Sequence, residues 1–319
     1  MRGWWQDLSD LVLPAECGGC GRPRTVLCPE CRAALSGAAP CRVRPAPEPP
    51  GLPVVYAAAR YADEVRAVLL AHKERGALTL AGPLGVALAG AVRTGLRDAR
   101  EGRTAVGGAA SGRAGVAAGS AGMRRGAVDG TVLLVPVPSG RGAVRKRGHD
   151  PARRIALAAA AELRQTGTPT RVLTVLRQRR AVADQSELTS RQRLENLAGA
   201  LQVAAGGTGL LGGGPVVLVD DLMTTGSSLA EAARAVRAAV ADRAVAHGRV
   251  ASVIRADVET VVYGRGNRER TGERMTGSMD GSTDLGRVVP GMTRPAGAGE
   301  VICAAVVAAT PDSFEMNRN

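Results

Sequence analysis

The stretch Pro215-Val-Val-Leu-Val-Asp-Asp-Leu-Met-Thr-Thr-Gly-Ser-Ser-Leu229 decides the fold of this chain. Its apolar residues 216–219 predict a strand that is buried on both faces, and Asp220 and Asp221 follow at the predicted end of that strand. An Ala-rich helix is predicted at residues 229–240. Between strand and helix lie five residues that offer hydroxyls, main-chain N–H groups or close backbone approach: Thr224, Thr225, Gly226, Ser227 and Ser228. The pattern predicts a phosphate-binding loop with two carboxylates beside it.

Carboxylates next to a phosphate site suit a phosphorylated sugar. The acids can accept hydrogen bonds from ribose hydroxyls, or face a bound Mg²⁺, while the loop holds the phosphate. The alternative is a strand–turn–helix crossover in which Ser and Thr only cap the helix. Another phosphate-binding motif, the Walker Gly-x4-Gly-Lys-Ser/Thr, does not occur in the sequence.

Length and composition set limits on the function. A chain of 319 residues can bury a full α/β core and still carry appendages. The formal charge of +13 suggests a polyanionic partner, but the basic residues are almost all Arg in a chain also rich in Ala and Gly, so this charge carries little weight. Aromatic residues make up 2% of the chain, too few for a good base-stacking platform.

The sequence predicts a cytoplasmic protein. No stretch reaches the ~20 uninterrupted apolar residues of a membrane span. The N-terminal residues lack the apolar core of a signal peptide. Membrane insertion is therefore not expected.

Two Cys-x-x-Cys pairs lie near the N-terminus, at Cys17 and Cys20 and at Cys28 and Cys31. Four thiolates at this spacing fit a tetrahedral Zn²⁺, and with every position taken by protein the site would be structural. Disulfides or unpaired buried thiols are the alternatives. Without a secretory signal, disulfides are disfavoured.

The rest of the chain alternates strands and helices. Strands are predicted at the start of 56–73 and at 131–137, 171–176, 201–203 and 300–310. Helices are predicted at the end of 56–73 and at 78–96 and 151–163. A basic loop is predicted at 139–147, and a polar mobile loop that leads into a helix at 177–196. This order predicts a doubly wound α/β domain with a mainly parallel sheet, in which the last strand lies beside the strand at 216–219.

The predicted domain boundaries follow from changes in composition. Residues 1–44 form the zinc element, residues 45–53 a Pro-rich linker, and residues 54–310 the α/β domain. Low-complexity insertions are predicted at about 98–129 and 241–299, and residues 311–319 are a tail.

Several motifs in this order resemble the ComF family, phosphoribosyltransferase-like proteins associated with bacterial competence. The stretch 215–229 is similar to the phosphoribosyl pyrophosphate (PRPP) motif of type I phosphoribosyltransferases. The other matching features are the paired Cys-x-x-Cys, the segment 56–73, Val135-Pro-Val-Pro138, Arg147-Gly148, and Gln185-x-x-Leu188 with Arg193 and Asn196. The resemblance implies a type I phosphoribosyltransferase fold with a small N-terminal zinc ribbon that has four cysteine ligands.

The resemblance also assigns roles to residues. It implies that Asp220 and Asp221 contact the ribose hydroxyls with Mg²⁺ nearby, and that residues 224–228 bind the 5′-phosphate. Pyrophosphate is expected at the loop carrying Ser139, Gly140, Arg141, Lys146 and Arg147. A flexible loop containing Gln185, Arg193 and Asn196 is expected to close over the site.

The chain departs from the family at His149-Asp150-Pro151, where family members continue Arg-Gly with Phe-Asn-Gln. His149 can be read as a base or phosphate ligand, or as a loop or helix-cap residue. Likewise, Arg177, Arg179 and Arg180 can contact phosphate or DNA, or form a solvated charged face.

Three functions fit the resemblance. The first is Mg²⁺-dependent transfer of a phosphoribosyl group from PRPP to a nitrogen acceptor that the sequence does not identify. The second is a non-catalytic protein that binds single-stranded DNA and works with other DNA-uptake proteins. The third is a sensor that binds PRPP without turnover.

Overall fold

A computed structural model describes residues 16–108, 130–180, 190–262 and 300–317. The helices are α1 (Pro29–Ser36), α2 (Asp63–Lys73), α3 (Ala81–Gly108), α4 (Arg141–Arg147), α5 (Pro151–Gln165), α6 (Ser190–Leu197), α7 (Gly207–Leu211) and α8 (Ser227–Val262), with short 3₁₀ turns at Leu78–Leu80 and Pro311–Asn317. The strands are β1 (Cys41–Val43), β2 (Val55–Arg60), β3 (Val132–Pro136), β4 (Thr170–Val172), β5 (Leu176–Gln178), β6 (Leu201–Val203), β7 (Val216–Met223) and β8 (Val301–Ala309).

The internal contacts divide the chain into two units. The first consists of Met1–Val240 with Gly297–Asn319 and contains every strand described. The second is Ala241–Ala296, of which the structure describes residues 241–262 as the continuation of helix α8.

A mostly parallel sheet forms the centre of the first unit. Its strand order is β1-β2-β8-β7-β3-β4, in which only the edge strand β1 is antiparallel to its neighbour. Strand β8 pairs with β7 in parallel, as the sequence predicts. The prediction of a mixed α/β fold with a mainly parallel sheet is therefore confirmed.

The apolar runs of the central strands are explained by burial on both faces. On β7, Val217 and Val219 pack into the core that holds α3 and α5, whereas Val216 and Leu218 pack into the core beneath α8. Side chains alternate between the faces of a strand, so a strand covered on both sides has to be apolar at every position. Ala and Gly on the helices allow close packing, as where Gly85 of α3 meets Ala158 of α5.

The N-terminal element and the segment 45–53 both pack directly on the α/β domain. Cys31 and Leu35 share one apolar core with Val68 of α2 and Leu80. Strand β1, which the sequence analysis placed in the N-terminal element, pairs with β2. In the segment 45–53, the Gly51 carbonyl accepts a 2.7 Å hydrogen bond from Arg237 Nη1 of α8.

Two helices extend into segments that were predicted to be low-complexity insertions. Helix α3 continues to Gly108, past the predicted boundary at 98, and helix α8 continues to Val262, past the boundary at 241. Neither extension has a regular apolar face, which is the main sequence signal for a helix, so the sequence did not predict them. The remaining parts of the two predicted insertions lie outside the described residues.

Two further predictions were wrong at the level of single elements. The basic loop 139–147 contains helix α4, which ends at Gly148 with a φ of +77°. The predicted strand 171–176 is split, because the chain leaves the central sheet after β4 and forms β5 of a separate antiparallel hairpin with β6. A short apolar run does not reveal which strand it pairs with, so the sequence alone could not show this division.

Within the described ranges, one helical stretch, Leu78–Gly102, is long and apolar enough by composition to cross a membrane. Just over half of its most apolar part, 56%, is buried inside the protein.

Helix α8 holds the β5–β6 hairpin through a buried carboxylate. Glu231 Oε1 accepts a 2.9 Å hydrogen bond from the Leu201 main-chain N–H, and Arg234 donates to both carboxylate oxygens at 2.7 Å. Arg234 also donates to the Leu201 carbonyl at 2.9 Å. Burial would raise the pKa of Glu231, but the hydrogen bonds from Arg234 and Leu201 outweigh it and lower the pKa.

Replacing Glu231 by Ala is expected to destabilise the protein by about 1–3 kcal/mol, because the buried Leu201 N–H loses its partner. Urea unfolding at neutral pH measures the change. Because the folded-state pKa is lowered, the contribution is present above the usual carboxyl pKa and is lost as the pH falls through the folded value. The matched control is Arg237→Ala, which removes an exposed bond from the same helix. Equal stability of Glu231→Ala and the unmodified protein would contradict this account.

Candidate functional site

The candidate site lies where the sheet changes its direction of winding. Strands β3 and β7 are neighbours, but β3 leads through α5 to β4 on one side, and β7 leads through α8 to β8 on the other. Such a switch point leaves a crevice at the carboxyl ends of the strands, where open α/β sheets bind ligands. Both predicted ligand-binding segments follow these two strands.

Asp220 and Asp221 lie within β7, not after it as predicted, because β7 pairs with β8 as far as Met223. Asp221 is buried, and its Oδ2 lies 3.0 Å from Lys73 Nζ at the end of helix α2. Asp220 Oδ1 accepts a 2.9 Å hydrogen bond from the Asp221 N–H.

The electrostatics around Asp220 and Asp221 favour a bound cation or a hydroxyl donor. Burial raises the pKa of Asp220 well above its usual range, and the charge of Asp221 raises it further. Burial alone would lower the pKa of Lys73, but the two carboxylates outweigh it and raise the pKa. Lys73 therefore stays charged and neutralises part of the carboxylate pair.

The loop 224–228 forms a recess at the N-terminus of α8. The Gly226 carbonyl accepts the Ala230 N–H at 2.9 Å, which starts the helix and leaves the N–H groups of its first turn directed outward. Thr225 Oγ1 and Ser227 Oγ lie 3.0 Å apart. The five predicted residues 224–228 all line the recess, together with Asp220. Main-chain N–H groups and hydroxyls at a helix N-terminus are suited to an anion.

Gly226 is required in this loop for two reasons. Its backbone φ of +73° is one that residues with a side chain rarely adopt. A Cβ there would lie 3.1 Å from Leu52 Cδ2 and 3.3 Å from Pro45 Cγ. The segment 45–53 thus supports the loop from behind.

The basic helix α4 faces the carboxylates from the end of β3. Arg147 of this helix has its Nε 3.3 Å from Glu74 Oε2, and its side chain is 16% exposed. Arg147 Nη1 is buried and has no hydrogen-bond partner among the residues that the structure describes. A buried guanidinium N–H without a partner is costly, and guanidinium groups bind anions through charge-assisted hydrogen bonds.

Asp150 holds the loop before α4. Its Oδ1 accepts the Arg153 N–H at 3.3 Å and so caps α5, while its Oδ2 accepts the Ser139 N–H at 3.3 Å. Asp150 therefore fixes the main chain at Ser139 and is occupied on both oxygens.

A cleft of about 930 Å³ connects these groups. Its walls carry six basic side chains and the two carboxylates, and its described lining contains no aromatic residue. The basic residues are Lys73, Arg141, Arg145, Arg147, Arg179 and Arg180. The β5–β6 hairpin supplies Gln178, whose Oε1 is 3.4 Å from the Arg141 N–H.

Most predicted site residues meet in this cleft, with some differences. Ser139, Gly140, Arg141 and Arg147 line it, whereas Lys146 is exposed and lies outside its lining. The Asn196 carbonyl accepts a 2.8 Å hydrogen bond from Arg180 Nη2. Gln185 lies outside the described residues, and so does the side chain of Arg193.

Sequence analysis missed Lys73 and Gln178 as site residues. Lys73 carried a signal, since it is one of only two lysines in a chain with 42 basic residues. A compact ammonium can approach a buried carboxylate where a planar guanidinium would need more room. Gln178 carried no signal, because its place depends on the hairpin.

The four cysteines of the N-terminal element form a cluster that can bind a metal such as zinc. The Sγ atoms of Cys17, Cys20, Cys28 and Cys31 all lie within 4.8 Å of one another. Four sulfurs at about 2.3 Å from one zinc ion would be roughly 3.8 Å apart, and Cys20 Sγ and Cys28 Sγ are 3.6 Å apart. Burial opposes ionisation of Cys17, but N–H groups of Cys20, Cys28 and Gly19 outweigh it and lower its pKa to about 6.

The cluster is built directly onto helix α2. A Cβ at Gly19 would lie 2.6 Å from Cys31 Sγ and 3.3 Å from Val68 Cγ2. Glycine is needed there because the cysteine loop, the cluster and α2 meet at contact distance. The element thus supports the helix that ends in Lys73.

The sequence matches no protein-family model and no curated protein.

Replacing Cys31 by Ser is expected to abolish stoichiometric metal binding and lower the melting temperature. A structural zinc site is worth about 10–16 kcal/mol, so losing one of four ligands should weaken zinc binding by at least roughly 100-fold. Metal analysis of the purified protein and thermal unfolding measure both effects. Cys41→Ser is the matched control, since Cys41 is half-buried and outside the cluster. Full zinc retention in Cys31→Ser would contradict the assignment.

Proposed function

We propose that this protein binds PRPP in the cleft and transfers its phosphoribosyl group to a nitrogen acceptor. The observation that carries the proposal is the order of groups along the cleft: an anion-binding loop, a carboxylate pair, and then a basic helix with an unpartnered guanidinium N–H. PRPP has phosphate at one end of a ribose and pyrophosphate at the other, so it needs two anion sites separated by acceptors for sugar hydroxyls.

Each group then has a defined task. The loop 224–228 holds the 5′-phosphate, and Asp220 and Asp221 accept hydrogen bonds from the ribose hydroxyls. Arg141, Arg147 and Lys73 stabilise the negative charge that develops on the departing pyrophosphate. The acceptor nitrogen forms a bond to C1 of the ribose as the C1–O bond breaks, pyrophosphate leaves with the electron pair, and the acceptor loses a proton. Catalysis consists of positioning and charge stabilisation, without a covalent nucleophile.

A divalent cation fits this donor set. Two adjacent carboxylates, one with a pKa raised by burial and by the charge of the other, are oxygen ligands of the kind that Mg²⁺ prefers, together with phosphate oxygens. Bound Mg²⁺ would neutralise charge on the pyrophosphate. We also propose that the cysteine cluster holds a structural zinc ion, since four protein ligands leave no open position for chemistry.

The resemblance to the ComF family supports the proposal, because it assigns PRPP binding to the same loop, carboxylates and basic residues. Cytoplasmic localisation stays a prediction. Binding of single-stranded DNA is less well supported, because the described lining of the cleft has no aromatic side chain on which bases could stack.

Calorimetric titration with PRPP and Mg²⁺ tests the proposal. Saturable binding is expected, and Asp220→Asn/Asp221→Asn should weaken it by at least about 100-fold, because charge-assisted hydrogen bonds to the ribose are lost. Since the pKa of Asp220 is raised and the ionised form binds, affinity should increase as the pH rises through that pKa.

The matched control is Glu64→Gln, which removes an exposed carboxylate at the opposite end of α2. Absence of binding to the unmodified protein would refute the PRPP assignment. Binding without pyrophosphate release against a panel of nitrogen bases would identify a sensor rather than a transferase.

A further inference from the structure

His149 lies between two parts of the cleft wall without lining the cleft. Its ring is 9% exposed, and each ring nitrogen lies against a main-chain carbonyl oxygen. Nδ1 is 3.2 Å from the Arg147 oxygen, and Nε2 is 3.2 Å from the His72 oxygen. The His72 ring packs against it edge-on, with the centroids 5.5 Å apart.

Both partners of the ring are hydrogen-bond acceptors. A carbonyl oxygen has no proton to donate, so each contact is a hydrogen bond only where the facing nitrogen carries a proton. Either neutral tautomer makes one of the two bonds, and the imidazolium makes both. The ring therefore acts as a donor toward main chain, which leaves neither nitrogen directed at a ligand.

The two carbonyls belong to the segments that carry Lys73 and Arg147, the basic residues at which pyrophosphate is proposed to bind. His72 precedes Lys73, whose ammonium pairs with Asp221 at 3.0 Å, and Glu74, whose carboxylate pairs with Arg147 at 3.3 Å. Three successive residues at the end of α2 are thus each connected to another element of the site. The His149 ring lies between the two main-chain segments and donates to at least one of their carbonyls.

We propose that His149 is a positioning residue that sets the distance between Lys73 and Arg147 and thereby the affinity for pyrophosphate. The inference rests on the proposed function, because it assigns pyrophosphate to this half of the cleft. Arg147 itself supplies one of the two carbonyls, and its Nη1 has no partner among the described residues. Ligands that use only the 224–228 loop and the carboxylates do not depend on it.

Calorimetry with two probes tests this role. Magnesium pyrophosphate reports on the basic half of the cleft, and ribose 5-phosphate reports on the phosphate loop. His149→Phe keeps a ring of similar size but has no donor, so it should bind pyrophosphate about 10-fold more weakly, the effect of one hydrogen bond. Its affinity for ribose 5-phosphate should not change.

His149→Gln is the second variant, since its amide keeps an N–H donor. It should bind pyrophosphate more tightly than His149→Phe, and it serves as the test variant if the phenylalanine protein does not fold in thermal unfolding.

The outcomes separate this inference from the proposed function. Unchanged pyrophosphate affinity in His149→Phe would overturn the positioning role, and so would an equal loss for both probes, which indicates a general structural effect. If the unmodified protein binds neither probe, the proposed function fails and the inference falls with it.

Discussion

The ion pair between Lys73 and Asp221 is the interaction on which the candidate site depends. It joins the end of helix α2 to the central strand β7 at a separation of 3.0 Å, and the Asp221 side chain is 10% exposed whereas that of Lys73 is 33% exposed. A buried carboxylate without a partner is strongly unfavourable, so this pair fixes where α2 can end. The neighbouring bonds from His72 and Glu74 then place helix α4 on the opposite wall.

The same helix links the cleft to the cysteine cluster. Val68 of α2 packs against the cysteine loop, and Leu80 packs against Gly18. A metal ion in the cluster would hold this loop in one conformation, and the loop in turn supports α2 from below. Stability of the N-terminal element and geometry of the cleft are therefore coupled through one helix, although the cluster itself contributes no group to the cleft lining that the structure describes.

Sequence reasoning predicted the groups whose chemistry is local. The run 215–229 predicted strand, acid pair, loop and helix because each depends on adjacent residues, and the cysteine spacing predicted the cluster for the same reason. It placed the end of β7 too early, because pairing of Leu222 and Met223 with β8 cannot be seen in β7 alone. Lys73, Gln178 and the ring of His149 owe their places to contacts between distant segments, and a single sequence carries little information about those.

The segment His149-Asp150 illustrates this limit. From the sequence, His149 could be read as a base or phosphate ligand, or as a loop or helix-cap residue. In the structure, Asp150 caps α5 and holds Ser139, and His149 faces two carbonyls.

The most direct test of the proposed PRPP-binding mode is a crystal structure with PRPP and Mg²⁺. We expect the 5′-phosphate to bind at residues 224–228 and the ribose at Asp220 and Asp221. The pyrophosphate should lie within hydrogen-bonding distance of Arg147. A ligand bound elsewhere, or one whose pyrophosphate points away from helix α4, would contradict it.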